Sequence, residues 1–240
     1  MAYRDLISPF RALAQTKFRR TTGEKLRHFL AMQTIPRPWR FRLAMRAGSI
    51  GKRLRSLMPK VLQPMLDLVP DSVPASQHWP KTTPARGKRR ARVALLTGCA
   101  QQVLDPDINT ASIEVLARNG VEVLVPAAQG CCGGLAWHTG DLNAAQAFAR
   151  HNLAAFPHDV DAILTNAAGC GSAMHEYHLM LRGTSEEARA EEFRKRVVDV
   201  SVFLWRLGLS EPLPDADRSR RIAYHDACHL ARRQLLGSRG

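Results

Sequence analysis

The 240-residue sequence has no apolar run approaching the roughly 18 to 20 residues of a transmembrane helix, so any membrane contact is expected to be peripheral. Its opening, Met1-Ala-Tyr-Arg-Asp-Leu6, lacks the apolar core of a secretory signal. Five cysteines are too few for a disulfide framework in a chain of this length. Together these features point to a reducing, cytoplasmic compartment. No glycine-rich dinucleotide fingerprint follows the first predicted strand, because Thr97-Gly98-Cys99-Ala100-Gln101 lacks the second and third glycines. No serine sits in a Gly-x-Ser-x-Gly turn either. Neither a dinucleotide site nor a serine nucleophile is therefore expected on this chain.

Acidic residues are scarce at one end. Residues 1–90 hold 4 Asp and Glu against 20 Lys and Arg, whereas residues 91–240 hold 17 against 15, so the whole formal charge of +14 comes from the first part. No nucleic-acid reading module or aromatic stacking platform accompanies this basicity, and nucleic acid is not an expected partner. An amphipathic arm for partner subunits or an anionic lipid surface, or a simple solvated basic face, accounts for it.

Four of the cysteines, Cys99, Cys131, Cys132 and Cys170, each follow a short apolar run: Val93-Ala-Leu-Leu-Thr97, Val121-Glu-Val-Leu-Val125 and Val160-Asp-Ala-Ile-Leu-Thr165. Helical periods separate the runs, from Asp107 as N-cap to Asn119-Gly120, and from Asp141 to about Phe156. Strand alternating with helix predicts an α/β fold with a parallel sheet, whose carboxyl-end loops converge on one crevice. Further helices are expected over Ser172–Leu181 and Glu186–Leu207, the latter with Phe193, Val197, Val200, Leu204 and Leu207 on one face.

Residues 1–58 read as a basic helical arm broken by Pro9, Pro36 and Pro38, with Leu43, Ala47, Ile50, Leu54 and Leu57 on one face. Residues 59–90 contain too many prolines for a regular element and read as a linker wrapped on a surface. The α/β domain is expected over 91–215. The chain then starts again, since Arg221-Ile-Ala-Tyr-His-Asp-Ala-Cys228 aligns with Arg92-Val-Ala-Leu-Leu-Thr-Gly-Cys99. A second unit from 218 to 240 would be truncated, and the chain reads as a fragment.

Thiolates serve both iron–sulfur clusters and zinc. Thirty-one residues separate Cys99 from Cys131 and 37 separate Cys132 from Cys170, so no local Cys-x-x-Cys knuckle of a zinc ribbon exists. Adjacent Cys131-Cys132 followed by Gly133-Gly134 lets the backbone turn tightly against an inorganic core. Structural burial of the cysteines and a thiol redox switch are the alternatives.

Gly98-Cys99-Ala100, Gly130-Cys131-Cys132-Gly133, Asn166-Ala-Ala-Gly-Cys170-Gly-Ser172, Glu176-Tyr177 and His225-Asp-Ala-Cys228-His229 together resemble the cysteine-rich CCG domains of heterodisulfide reductase subunits and of glycolate oxidase iron–sulfur subunits. The resemblance is nearest to the glycolate oxidase subunit, and extends to Leu62-Gln-Pro-Met-Leu-Asp-Leu68. It implies an electron-transfer subunit of a flavin-containing complex at the inner membrane that oxidises glycolate or a related 2-hydroxy acid such as D-lactate. FAD would lie on partner subunits. An iron–sulfur cluster, [4Fe–4S] by the family's habit, would be held by Cys99, Cys131, Cys132 and Cys170, with Cys228 opening a second unit. The family's preceding ferredoxin-type module has no counterpart here. The third element, Cys170-Gly-Ser-Ala173, ends in alanine where heterodisulfide reductases have a further cysteine.

Three histidines lie near these motifs. His138 follows the Cys-Cys loop and suits either a hydrogen bond to the site or plain packing. His175 and His178 flank Glu176 at i and i+3, which is not the i, i+4 spacing of a helical zinc site.

Overall fold

The computed structural model describes residues 3–17, 20–57, 60 and 63–210. The chain opens with helices α1 (Tyr3–Lys17), α2 (Thr22–Thr34), α3 (Pro38–Arg53) and α4 (Gln63–Asp67), followed by the short strand β1 (Thr82–Thr83). The alternating part comprises β2 (Ala91–Leu96), α5 (Gln101–Leu104), α6 (Asp107–Arg118), β3 (Val121–Leu124), α7 (Gly134–His138), α8 (Leu142–Ala155) and β4 (Ala162–Thr165). It closes with α9 (Ala168–His175), α10 (Tyr177–Met180), α11 (Glu187–Lys195), β5 (Val197–Asp199) and α12 (Val200–Leu207).

The five strands form one sheet in the order β1-β3-β2-β4-β5, parallel except for β1. Both faces are covered, as parallel sheets require. Ala94, Leu96 and Ile163 face a core shared with α7 to α11, while Val93, Leu95, Ala162 and Leu164 face a second core with Ile113 and Leu116 of α6. The alternation along β2 follows from the two-residue period of a strand.

From β2 the chain moves to β3 on one side, then crosses back to β4 on the other. The connections therefore part between β2 and β4, and the carboxyl ends of these strands bound the crevice where doubly wound sheets take their ligands.

The helical periods over 107–119 and 141–156 appear as α6 and α8, with Asp141 as the N-cap of α8 accepting the Ala144 amide at 3.1 Å. The N-cap of α6 is Pro106, one residue ahead of the expected Asp107. Further expectations need correction. The helix expected over Glu186–Leu207 is interrupted by β5: β-branched Val197 and Val198 extend to pair with Ile163 and Leu164, and the Asp199 carboxylate then starts α12 by accepting Ser201 N–H at 2.9 Å. The helix expected from Ser172 begins earlier, at Ala168, and breaks at Glu176 into α9 and α10. Cys170 accordingly lies in a first helical turn and not in a loop.

The basic segment is helical, but Pro9 does not break it. Pro9 lies inside α1, and the backbone bond that it forgoes is offset by packing of α1 against α7 and α10. Pro36 and Pro38 do separate α2 from α3, with Pro38 in the first turn of α3, where the missing N–H has no intrahelical partner to lose. Leu43, Ile50, Leu54 and Leu57 all face solvent, and α3 is instead buried through Phe41 and Gly51. Gly48 is also essential to this packing, since a Cβ there would sit 2.9 Å from Val69. The proline-rich stretch is largely irregular yet holds α4 and β1. Its strand forms because the edge of β3 offers backbone groups that need partners.

Candidate functional site

The sheet brings four of the five singled-out cysteines together. Cys99 follows β2, Cys131 and Cys132 follow β3, and Cys170 follows β4, all at the carboxyl end of the sheet. Cys99 Sγ lies 3.5 Å from Cys131 Sγ. Cys132 is close enough to both Cys131 and Cys170 for each to shift its titration, so the four sulfurs are neighbours in the order 99-131-132-170. All four are free thiols, with Cys131 and Cys132 buried and Cys99 and Cys170 partly exposed. Cys228, with His225 and His229 beside it, lies outside the described residues.

Local backbone chemistry explains how adjacent cysteines serve one site. Gly133 takes a left-handed conformation at φ 78°, and a Cβ there would strike Phe148 at 2.9 Å. The turn aims Gly133 N–H at Cys131 Sγ and Gly134 N–H at Cys132 Sγ, each at 3.5 Å. Beneath the loop, Asn152 of α8 accepts Gly130 N–H at 3.0 Å and donates to Cys131 O at 2.9 Å and to the Tyr177 hydroxyl at 2.9 Å. Tyr177 donates in turn to Cys132 O at 3.1 Å. Gln129 ties the same loop to the end of β2, accepting Thr97 N–H at 2.8 Å and donating to Leu95 O at 3.1 Å.

The second flank of the crevice is amide-rich. Buried Asn109 donates to Thr97 O at 2.9 Å, and its side-chain oxygen receives both Gln101 and Asn166 at 2.9 Å. This joins the segments after β2 and β4, which lead to Cys99 and to Cys170 in the first turn of α9.

Mutual contact and burial hold Cys99, Cys131 and Cys132 protonated. Cys99 is pushed well above the ordinary thiol range by its hydrogen bond with Cys131 and by burial. Cys131 is pushed up to about 12, chiefly through Cys132 and burial, against an opposing pull from Cys99. The hydrogen bond from Cys131 draws Cys132 down, but Cys170 and burial outweigh it and the net direction is strongly upward. Tyr177 is raised as well, first by burial and then by the neighbouring thiols. Neighbouring thiolates repel in a water-poor site, and bound metal cations relieve that repulsion and release the protons.

These residues fit an iron–sulfur centre. The donor set is all sulfur, the ligand type such clusters use, and two backbone N–H groups already point at the sulfurs, an interaction that tunes such centres. Among the described residues no three His, Cys, Asp or Glu side chains close on a single metal-ion point.

The histidines hold no such position. His138 ends α7, where its carbonyl accepts Arg11 at 3.2 Å, and His178 Nδ1 meets the His175 carbonyl at 3.0 Å. Glu176 between them is buried and accepts the Trp137 indole N–H. The arm holds the segment that follows the Cys-Cys loop: Arg20 donates to Thr139 O at 2.7 Å, and His28 pairs with Asp141 at 3.1 Å. Asn152, Gln129 and the role of Tyr177 were not read from the sequence. The available signal was a polar residue, Asn152, among the buried positions Ala145, Ala149 and Leu153 of α8.

A doubly wound sheet with a Cys-Cys turn and two further cysteines at its carboxyl edge defines a cysteine-rich α/β domain, and residues 93–175 match the family described as "CCG: Cysteine-rich domain". The chain carries a CCG domain and is a homologue of glycolate oxidase iron–sulfur subunits. It is 32% identical over 240 residues to the "Glycolate oxidase iron-sulfur subunit" of Escherichia coli (strain K12), covering 98% of this chain and 56% of that protein. It is 34% identical over 179 residues to the "Probable glycolate oxidase iron-sulfur subunit" of Bacillus subtilis (strain 168), covering 72% of this chain and 40% of that protein. "Lactate utilization protein A" of Geobacillus thermodenitrificans (strain NG80-2) is 30% identical over 149 residues, or 62% of this chain and 61% of that protein. The chain thus spans about half the length of the two glycolate oxidase subunits. No solved structure matches it.

Proposed function

We propose that this chain is an iron–sulfur electron-transfer subunit of a complex oxidising glycolate, or a related 2-hydroxy acid such as D-lactate, to the 2-oxo acid. The observation carrying this reading is the row Cys99, Cys131, Cys132 and Cys170 at the carboxyl edge of the sheet, with the amides of Gly133 and Gly134 aimed at two of its sulfurs. These four cysteines would hold the cluster, of [4Fe–4S] type by likeness to the relatives, and Cys228 would belong to a further unit. When bound, such a cluster takes up and passes on single electrons.

The chain's own residues do the rest. Cys99 and Cys170, the partly exposed members, give the site its opening, while Cys131 and Cys132 share a buried core with Trp137, Tyr177 and Met180. The amides of Gly133 and Gly134 offset negative charge on sulfur. In this reading substrate is oxidised on flavin-bearing partner subunits, with FAD there and not here. The domain divisions we propose are an arm over 1–58, a surface linker over 59–90, the CCG domain over 91–215 and a second unit from 218.

The arm suits docking. Leu6, Phe10, Leu13, Phe29, Trp39 and Leu43 are exposed on α1 to α3 amid an excess of Lys and Arg. We assign this surface to partner subunits, with peripheral contact to the inner membrane in the cytoplasm. Among the described residues no helix is long and apolar enough to cross a membrane.

The test is anaerobic reconstitution with iron and sulfide, followed by iron and acid-labile sulfide analysis and electron paramagnetic resonance of the reduced protein. Cysteine-dependent signals that vanish in Cys131→Ser support the reading. A protein that folds fully, takes up no iron and still captures its partner subunits is instead a docking or assembly module with structural cysteines.

A further inference from the structure

Two residues outside the cysteine set hold the Cys-Cys turn from below, and together they account for three consecutive backbone positions. Asn152 receives Gly130 N–H on its oxygen, and its amide nitrogen donates to Cys131 O and to the Tyr177 hydroxyl. Tyr177 donates its own hydroxyl hydrogen bond to Cys132 O. Both side chains are fully buried. A buried amide or hydroxyl costs free energy unless its hydrogen-bonding capacity is used. Here Asn152 uses its oxygen and both amide hydrogens, and Tyr177 both donates and accepts.

Packing alone does not call for these groups. The Tyr177 ring already stacks on Phe193, with centroids 5.5 Å apart and planes at 24°, and a phenylalanine would do the same. Along the buried stripe of α8, Asn152 sits beside Leu153 with Ala145 and Ala149, where an apolar residue satisfies the core. What the polar atoms add is directional. They turn the carbonyls of Cys131 and Cys132 toward α8 and α10, and the next two peptide N–H groups, those of Gly133 and Gly134, face the sulfurs. Released, the same carbonyls are free to rotate toward the thiols and place partial negative charge against them.

We propose that Asn152 and Tyr177 are positioning residues that fix the Cys131-Cys132 turn in its ligand-presenting form, and that the Tyr177 hydroxyl is the component that can be removed without loss of the fold. This rests on the reading of the four cysteines as cluster ligands. It predicts that Tyr177→Phe keeps the melting temperature of the metal-free protein within a few degrees but weakens its hold on iron roughly 10- to 100-fold, the usual cost of removing an outer hydrogen-bond partner of a metal site. The shape of the reduced-state resonance changes too. Asn152→Asp, which keeps the acceptor for Gly130 and loses both donors, gives a larger loss.

The experiment compares wild type, Tyr177→Phe and Asn152→Asp as full chains. Iron retained against a graded chelator and the resonance spectrum are read on reconstituted protein. Circular dichroism melts and the rate at which iodoacetamide labels Cys132 are read on metal-free protein, below the melting range of all three. Weaker iron retention and several-fold faster Cys132 labelling with the fold intact support the proposal. Equal retention, equal spectra and equal labelling overturn it, as does iron loss that merely follows a lowered melting temperature. If wild type itself takes up no iron, the cluster reading fails, and the labelling rates alone decide whether the two residues hold the turn: faster labelling in the variants supports this, and equal labelling overturns it.

Discussion

The Sγ atoms of Cys99 and Cys131 lie 3.5 Å apart, one on the loop after β2 and the other on the loop after β3. A disulfide needs about 2.0 Å between sulfurs, so a small loop adjustment suffices. Treating the metal-free protein with the azo oxidant diamide is expected to link these two residues. Each thiol gives up one proton and one electron, and the azo group is reduced to the hydrazine. Non-reducing peptide mapping should show the 99–131 crosslink, its loss in Cys99→Ser, and failure of the oxidised protein to take up iron. A dominant 99–170 crosslink would contradict the row of sulfurs as described.

Stability of the metal-free protein should fall at alkaline pH. The folded Cys131 thiol titrates at about 12, against 9.0 for a free thiol, with Cys132 and burial as the main causes. The unfolded chain therefore loses its proton first, and the folded state binds more protons between the two values. The stabilising contribution is complete below pH 9 and is lost as pH rises toward 12. Melting temperature measured from pH 8 upward should decline, and Cys131→Ser should flatten that decline.

Gly133→Ala is expected to destabilise the fold by about 1 to 2 kcal/mol from its left-handed backbone alone. Crowding adds to this, because the new Cβ meets Phe148 Cβ at 2.9 Å in the middle of α8. Urea denaturation should show the loss. Gly183→Ala, which shares the positive φ but has open space around it, should show only the backbone part.

Asp141 has two tasks, capping α8 through Ala144 N–H and pairing with His28 on the arm, each at 3.1 Å. Asp141→Ala should cost about 1 kcal/mol as a lost N-cap and loosen the arm, while Asp141→Asn should keep the cap and lose only the charge. The difference is readable by comparing urea midpoints with the rate of limited proteolysis between α1 and α2. Equal proteolysis in both variants and in wild type would remove the His28 pair from the arm's attachment.

The alternating apolar runs and cap residues made the sheet and its main helices legible, because Val, Ile and Leu at strand positions carry a local preference that the parallel sheet also satisfies. The cysteines were legible for the same reason, since the end of a parallel strand fixes where its following loop lies. Strand β5 was not legible. Val197 fits a helical face with Phe193 and Val200 as well as it fits a strand, and only the free edge of β4 decides between them. Nor was the support of the Cys-Cys turn. Asn152 and Tyr177 act through contacts with residues 20 or more positions away, and no local period reports such pairings. The exposed face of α3 was visible as a pattern, but which side turns to solvent depends on Val69 and on the strap from Arg42 to Gln102 O at 2.8 Å.

The short antiparallel strand β1 bears on how the protein meets others. Lys81 O takes Val125 N–H at 2.9 Å, Thr82 and Thr83 pair with Leu124 and Val123, and Arg90 N–H reaches Gly120 O at 2.7 Å. The carboxyl end of β3 is thereby paired on its outer margin by the chain's own backbone, while the Arg90 bond lies on its inner side, towards β2. An incoming strand finds that margin of the sheet already taken, and unpaired strand margins are the usual route to chain-to-chain growth. A stretch that contributes only two residues of sheet thus guards against self-association along β3 and leaves helical surfaces to meet other molecules.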